Sequence, residues 1–151
     1  MMISAATGFI EQSEKYSSDN AGQSLAKYTI LRRGELAYNH GASKYRKYGS
    51  CFALLVDEAR VPFVYHCFEV GANNPCFVAT VLNVPQIDYQ LRKLVSSGAR
   101  MDGLLNISFE AYKTVKISLP QKAEQDKISL FLMSLDRLIT LHQREQIFDE
   151  L

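Results

Sequence analysis

The sequence predicts an α/β (α+β) fold, in which a domain of short strands and helices is followed by a long C-terminal helix. Short apolar runs bounded by Gly, Pro and polar clusters recur over residues 1–119 and are typical of strands. Pro85–Val95 carries apolar residues at helical spacing. The final segment, 121–151, has apolar residues three and four positions apart and contains no Gly or Pro.

The strands follow from β-type runs taken in chain order. The predicted strands are Ile3–Ile10, Tyr28–Leu31, Leu36–Tyr38, Cys51–Val56, Phe63–Val70 and Val115–Leu119. The two longest continuous apolar runs favour buried strands, whereas the alternation of Val115–Leu119 favours a half-buried one. Pro62 and Pro75 mark strand entries or turns.

The C-terminal helix presents one apolar seam. Its members follow the spacing of one helix face and are Ile128, Phe131, Leu132, Leu135, Leu138, Ile139 and His142. Each fully buried large apolar side chain stabilises by roughly 1.5–3 kcal/mol, and several left exposed together would be a solubility hazard. We therefore expect the seam to be covered, either by the helix's own domain or by a second chain.

Length and composition place the chain among globular proteins. It has 151 residues, of which 47% are hydrophobic and 22% charged, and its net charge is +1. We divide it into a domain over 1–119 and a helix over 120–151. The charge is uneven: residues 24–50 hold six cations and one anion, and residues 121–151 hold four cations and six anions. The basic charge therefore lies in the N-terminal third.

The cysteines and the chain start predict a cytoplasmic protein. Cys51, Cys67 and Cys76 lie in apolar surroundings without a CxxC spacing, which indicates buried free thiols in a reducing compartment. The first residues lack a basic region and a long apolar run, so no signal peptide is predicted. No apolar stretch approaches the length of a transmembrane helix, so no membrane partner is expected.

We find no catalytic or cofactor motif. The sequence contains no HExxH, GxxxxGK[ST] or GxGxxG, so no catalytic residue, metal ligand or cofactor is assigned. We interpret His40, His66 and His142 as structural or surface residues. Cys67 follows His66 directly, but neighbours on a strand point to opposite faces. A Cys–His enzyme would need tertiary pairing that the sequence does not show.

Two segments are candidate nucleic-acid contacts. The first interleaves tyrosines with cations, and its candidates are Asn39, Lys44, Tyr45, Arg46 and Lys47. Cations suit phosphates, and Asn and Arg suit base edges. The second is Ser96–Gly103, where small residues would let the backbone approach a ligand beside Arg100. Taken alone, each segment is more simply interpreted as a solvated loop or turn.

Three stretches together resemble the specificity subunits of type I restriction–modification enzymes. Gly34–Asn39 (GELAYN) resembles a Gly-acidic-hydrophobic-x-aromatic-Asn segment of their target-recognition domains. Gly98–Ser108 resembles their G-x-R-x-x-L-x-I-S region. The segment from Leu119 through Arg144 resembles their conserved helix, which opens with Leu-Pro and carries Glu124-Gln125. The resemblance covers nearly the whole chain and is weakest in the first 25 residues.

The resemblance implies a non-catalytic DNA-recognition protein. A full specificity subunit holds two target-recognition domains separated by two conserved helices that pair as an antiparallel spacer, and each domain recognises half of a bipartite site in double-stranded DNA. Methylation belongs to separate modification (methyltransferase) subunits and cleavage to a separate restriction subunit. By this resemblance, 1–119 is a target-recognition domain and 120–151 is a spacer helix.

The chain departs from the family pattern because it holds one recognition domain. Against that pattern, we also expect it to lack the usual first strand and the distal half of the spacer. A half subunit is expected to dimerise through its helix and to recognise a symmetric, interrupted site. Two alternatives stay open: an interaction-only protein that docks on methyltransferase or specificity subunits without binding DNA alone, and a Cys–His enzyme.

Overall fold

The computed structural model describes residues 1–11, 28–96 and 104–149, with side chains described as far as residue 143. These residues form seven strands and four helices. The strands are β1 (Met2–Ser4), β2 (Gly8–Ile10), β3 (Tyr28–Arg32), β4 (Leu36–Asn39), β5 (Ser50–Ala53), β6 (Glu58–Pro62) and β7 (His66–Phe68). The helices are α1 (Pro75–Leu82), α2 (Pro85–Leu94), α3 (Phe109–Tyr112) and α4 (Lys122–Asp149). The predicted α+β class and the long C-terminal helix are confirmed.

The strands form three small antiparallel sheets. β1 pairs with β2, β3 pairs with β6, and β4 lies between β5 and β7. The sheet of β3 and β6 joins the sheet centred on β4 through a turn in which the Gly34 N–H donates to Leu54 O at 2.9 Å. Gly34 has a φ of +88°, which glycine adopts without the steric cost of a side chain.

The core lies on both faces of β4. Side chains alternate along a strand, so Leu36 and Tyr38 point to one face and Ala37 to the other. The first two pack with α1 and α2 through Val78, Leu82 and Leu91, among others. Ala37 belongs to a second buried cluster formed with residues of β3 and β6 and their flanking turns. The strand that ends at Asn39 is therefore fixed from both sides.

The structure corrects several sequence predictions. Phe63–Val70 is not one strand, because residues 63–65 form a turn between β6 and β7. Pro75 begins helix α1, where a missing N–H costs nothing, rather than marking a strand. The segment Val115–Leu119 forms no strand, although its residues alternate between half-buried and exposed as predicted. Its apolar side chains lie against the core cluster without strand pairing.

As far as its side chains are described, helix α4 is buried against the domain only near its first turns. It spans 28 residues, and the buried ones among residues 122–143 are Gln125 and Ser129. From residue 130 to residue 143 its side chains are exposed, apart from the half-buried Leu132. In the described parts of the chain, no helix combines the length and apolar character needed to cross a membrane.

Candidate functional site

The loop between β4 and β5, residues 40–49, carries the cations that the sequence singles out, and we call it the basic loop. Lys44, Tyr45 and Lys47 are exposed. The Lys44 ammonium lies 4.8 Å from the centre of the Tyr45 ring, and the Lys47 ammonium lies 5.8 Å from that of Tyr48. These positions allow weak cation–π contacts that leave both ammonium groups accessible to solvent.

Arg46 is placed differently from its neighbours. Its Nη2 lies 2.9 Å from Asp88 Oδ1 on α2, and its Nε donates to Gly49 O at 3.3 Å. Only 14% of its side chain is exposed. A guanidinium already paired with a carboxylate has less charge to offer a phosphate. Arg46 therefore fixes the basic loop against α2, and Lys44 and Lys47 remain its accessible cations.

Asn39, at the end of β4, uses its amide to hold the backbone. Its Oδ1 accepts from Gly41 N at 2.9 Å, and its Nδ2 donates to Ile3 O at 3.3 Å. The first bond orders the start of the basic loop and the second ties it to β1. Direct contact of Asn39 with a base edge would require one of these bonds to be exchanged.

A groove of about 510 Å³ lies beside the basic loop. It is lined by residues of β1, by Asn39 at the end of β4, by the residues following β6, and by the first half of the basic loop, including Lys44 and Tyr45. Lys44 contributes the positive charge of this lining. The groove combines that accessible charge with backbone and amide polar groups, as nucleic-acid contacts require.

Two stacked histidines support the base of the basic loop. The rings of His40 and His66 lie 4.9 Å apart with an interplanar angle of 10°. His40 is 2% exposed, and its nitrogens lie 2.6 Å from Leu105 O and 3.0 Å from Val64 O. His66 Nε2 lies 2.9 Å from Ile107 O. The two rings therefore hold segment 104–107 against the sheet. The structural interpretation of these histidines agrees with their contacts.

Arg100, the second predicted contact, lies outside the described residues, as do most of Ser96–Gly103 and the start of Gly98–Ser108. The described part of this region begins at Leu104, which pairs with Gly41 in an isolated β-bridge. Leu105 N donates to His40 O at 2.9 Å. The described residues that follow this segment, Leu104 and Leu105, are thus attached to the start of the basic loop.

The predicted helix interface is largely exposed. Four seam residues, Phe131, Leu135, Leu138 and Ile139, are between 38 and 63% exposed. Ile128 and Leu132, near the base, are half-buried, and His142 is exposed. At about 100° per residue, the centre of the seam lies roughly 100° around the helix from Gln125 and Ser129, which face the domain. The described part of the domain therefore leaves the centre of the seam uncovered.

A polar cluster at the base of α4, which sequence reasoning missed, joins the helix to α1. Gln125 is 1% exposed, accepts from Asn74 N at 2.9 Å, and donates to Asn73 Oδ1 at 2.9 Å and Pro120 O at 2.8 Å. Asn74 Nδ2 donates to Asp126 Oδ1 at 2.6 Å. A polar residue at a helix position facing the domain, such as Gln125, is the signal that indicates such a cluster.

The thiols are poorly suited to nucleophilic chemistry. Burial raises the pKa of Cys51 to about 12 and that of Cys67 to about 11. Burial also raises the pKa of Cys76. A nucleophilic cysteine needs a lowered pKa, since the thiolate is the reactive form. Among the described residues, no three or more His, Cys, Asp or Glu side chains are grouped to hold a metal ion.

No protein-family model, curated protein or solved structure matches this chain.

Proposed function

We propose that the chain is a DNA-recognition half-module of a type I restriction–modification specificity subunit. In this proposal the basic loop contacts one half of a double-stranded site, and α4 pairs with a second copy or with the helix of another specificity chain. The module has no catalytic role or cofactor. It directs modification subunits, and through them the restriction subunit, to DNA in the cytoplasm.

The exposed seam of α4 is the observation that carries the proposal. A 28-residue helix that exposes an apolar seam, with Leu130, Met133 and Leu141 also exposed outside it, is typical of an element completed by another chain. The same segment carries the longest stretch of resemblance to the conserved spacer helix. A helix that served only its own domain would place this seam against the domain.

The basic loop supports the DNA part of the proposal. Lys44, Tyr45 and Lys47 are exposed on a loop whose base is fixed by Arg46 and the stacked histidines. A fixed base with exposed cationic side chains suits phosphate contacts, because little backbone order has to be gained on binding. Phosphate contacts position a protein on DNA, whereas base contacts provide the sequence preference.

A second candidate function is interaction without DNA binding. The pairing of Arg46 with Asp88 and the use of the Asn39 amide in backbone contacts remove two of the predicted DNA contacts from ready reach. In this alternative, α4 docks on a methyltransferase or specificity subunit, and the domain positions that partner. DNA binding by the chain alone distinguishes the two functions.

The test is selection of bound duplexes from a random double-stranded library, followed by titration of a selected duplex at several salt concentrations. We expect an enriched, symmetric, interrupted sequence. The K44A/K47A variant is expected to weaken binding. The plot of log binding constant against log salt concentration should become less steep, by roughly 0.9 for each phosphate that the loop no longer neutralises.

The control is K116A/K127A, which removes the same charge from two exposed positions outside the basic loop. It is expected to leave the slope close to that of the unchanged chain. If no sequence is enriched, either alone or with a co-expressed methyltransferase subunit of such a system, the interaction-only function replaces the proposal. If both variants lower the slope equally, the basic loop is not the contact surface.

A further inference from the structure

The base of α4 is held by hydrogen bonds rather than by apolar packing alone. Asn74 caps α1 by accepting from Phe77 N at 3.0 Å. The same side-chain oxygen accepts from Ser129 Oγ at 3.2 Å, and the side-chain nitrogen donates to Asp126 Oδ1 at 2.6 Å. One amide therefore caps one helix and binds two successive turns of another.

Gln125 completes this attachment from the other side. Its side chain is almost fully buried and hydrogen-bonds the backbone N–H of Asn74, the side chain of Asn73 and the carbonyl of Pro120. All of these bonds depend on direction as well as distance. Apolar contacts would tolerate rotation or sliding of the helix, whereas this set fixes its angle and its register. We call Asn73, Asn74, Gln125, Asp126 and Ser129 the polar joint.

A small change in helix direction at the polar joint would produce a large displacement at the far end of α4. Beyond Ser129 the described side chains of α4 are exposed except for Leu132, so the domain guides the helix only over its first turns. From Ser129 to Asp149 the helix extends about 30 Å at roughly 1.5 Å per residue. A change of about 10° in its direction would move the far end by about 5 Å, which exceeds the roughly 3.4 Å spacing of adjacent base pairs.

We propose that the polar joint sets the direction of α4 relative to the basic loop, and thereby the number of base pairs between the half-sites of a paired molecule. The second part rests on the proposed function, and the first part does not. Asn74 and Gln125 are positioning residues in this proposal. They contact no DNA, but they determine where the second basic loop lies along the duplex.

The test uses Asn74→Asp, alone and combined with Asp126→Asn. Aspartate keeps the acceptor that caps α1 and receives Ser129, but it places a carboxylate against that of Asp126. Adding Asp126→Asn restores the hydrogen bond with its roles exchanged, because the amide at position 126 now donates to the carboxylate at position 74. Asp126→Asn alone is the control: its amide oxygen still accepts from Asn74, and it measures separately the loss of the ion pair with Lys122, whose Nζ lies 2.6 Å from both carboxylate oxygens. Circular dichroism and melting identify any variant that fails to fold.

The first readout needs no DNA. Spin labels are placed at the exposed Lys93 of α2 and Thr140 of α4 through unnatural amino acids, and labelled chains are diluted with unlabelled ones. Pulsed EPR is expected to give one narrow distance distribution for the original pair of residues and for the control. N74D is expected to broaden or shift the distribution, and N74D/D126N to restore it. An unchanged distance distribution in folded N74D, or no restoration in the double variant, would overturn the proposal that the polar joint sets the direction of α4.

The second readout is the spacer length in duplexes selected from the random library. N74D is expected to keep the half-site preference and to spread or shift the spacer length, with recovery in N74D/D126N. An unchanged spacer length together with an altered EPR distribution would overturn the spacing part alone. If the original chain selects no sequence, the proposed function fails, while the EPR result still judges the polar joint.

Discussion

At the residue scale, Gly49 sets the closure of the basic loop. Its φ is +85°, and an added Cβ would lie 2.5 Å from Asn39 O and 2.9 Å from His40 Cα. Both neighbours are backbone atoms and have little freedom to withdraw. This glycine therefore lets the end of the basic loop pack against the backbone at its start. Lys44 and Lys47 lie in the part of the loop between these two ends.

We expect Gly49→Ala to destabilise the fold by more than the roughly 1–2 kcal/mol that a left-handed conformation costs an ordinary residue. The control is Gly71→Ala. Gly71 also has a positive φ, +58°, but no atom lies within 4 Å of its added Cβ. Urea denaturation measures both free energies of unfolding. Equal destabilisation of the two variants would show that the close approach at Gly49 contributes nothing beyond backbone conformation.

His66 gives the fold a dependence on pH. Burial, with a smaller effect from neighbouring His40, lowers the pKa of His66 below its ordinary value of 6.5, although the hydrogen bond to Ile107 O opposes this. The unfolded chain then binds a proton on this residue more readily than the folded chain does. The stability that neutral His66 contributes is complete above pH 6.5 and is lost as the pH falls below that value.

We expect the free energy of unfolding to fall as the pH is lowered from about 8 to about 5, and His66→Gln to make that fall shallower. Glutamine keeps a side-chain donor for Ile107 O but takes up no proton in this range. Urea denaturation at each pH measures the slopes, and the offset at the upper pH measures the cost of replacing the ring. A slope unchanged by the substitution would contradict the assignment to His66.

At the element scale, the ion pair of Arg46 and Asp88 joins the basic loop to α2. Both side chains are mainly buried, so the pair is less exposed to water than those at the surface. We expect Arg46→Ala to destabilise the fold by about 1.5–3 kcal/mol, the range for hydrogen bonds to charged groups. Asp88→Ala is expected to cost a similar amount. Urea denaturation of both variants measures these costs.

The same pair distinguishes Arg46 from Lys44 and Lys47, the cations proposed to contact DNA. If Arg46 acts through Asp88, R46A should reduce the salt slope of DNA binding less than K44A or K47A does, while reducing stability more. Denaturation and salt titration measure the two effects on the same proteins. A stable R46A protein whose salt slope falls by the amount expected for one neutralised phosphate would show that Arg46 leaves Asp88 to bind DNA.

The sequence predicts best those elements whose apolar residues recur at a regular helical spacing. The spacing of Pro85–Leu94 identifies a helix that buries Ile87 and Leu91 in the domain, and the same spacing identifies α4 although its seam is exposed. Helix α1 is missed because its sequence, PCFVATVL, is apolar on nearly every side and resembles a buried strand. The pattern of Val115–Leu119 reports alternating burial correctly but cannot report whether a neighbouring strand is present.

The sequence predicts which residue types lie in the candidate site but not which partners those residues have in the fold. Lys44, Tyr45 and Lys47 are predicted as nucleic-acid contacts from their local sequence alone, and the structure shows that they are exposed. The pairing of Arg46 depends on Asp88, which lies 42 residues away, and local patterns carry no information about such a partner. Gln125 is similar, because its hydrogen-bond partner Asn73 lies 52 residues before it. Long-range polar contacts thus decide which predicted residues are accessible.

At the scale of the whole molecule, the surfaces proposed for recognition and for assembly lie on separate parts of the chain. The basic loop lies where β4 meets β5, whereas the seam lies on the part of α4 that extends beyond the domain. The polar joint lies between them. Under the proposed function, this arrangement would leave the basic loop free to contact DNA when two seams are paired, because pairing does not require its side chains.

The pairing of two seams has a direct test in solution. We expect a dimer by analytical ultracentrifugation, and we expect its melting temperature to rise with protein concentration, since association stabilises only the folded chain. Leu135→Lys/Leu138→Lys places two charges in the seam and is expected to give a monomer with a concentration-independent melting temperature.

The matched control is Leu130→Lys/Thr140→Lys, which adds the same charge at two exposed positions on the other side of the helix from the seam. It is expected to remain a dimer. If both double variants stay dimeric, the chain associates through another surface. If the unchanged chain is a monomer at every concentration, the seam is reserved for a different partner, and a co-expressed methyltransferase subunit is expected to bind the control variant but not L135K/L138K. Failure of that binding as well would leave the seam without the role in assembly that its exposed apolar face predicts.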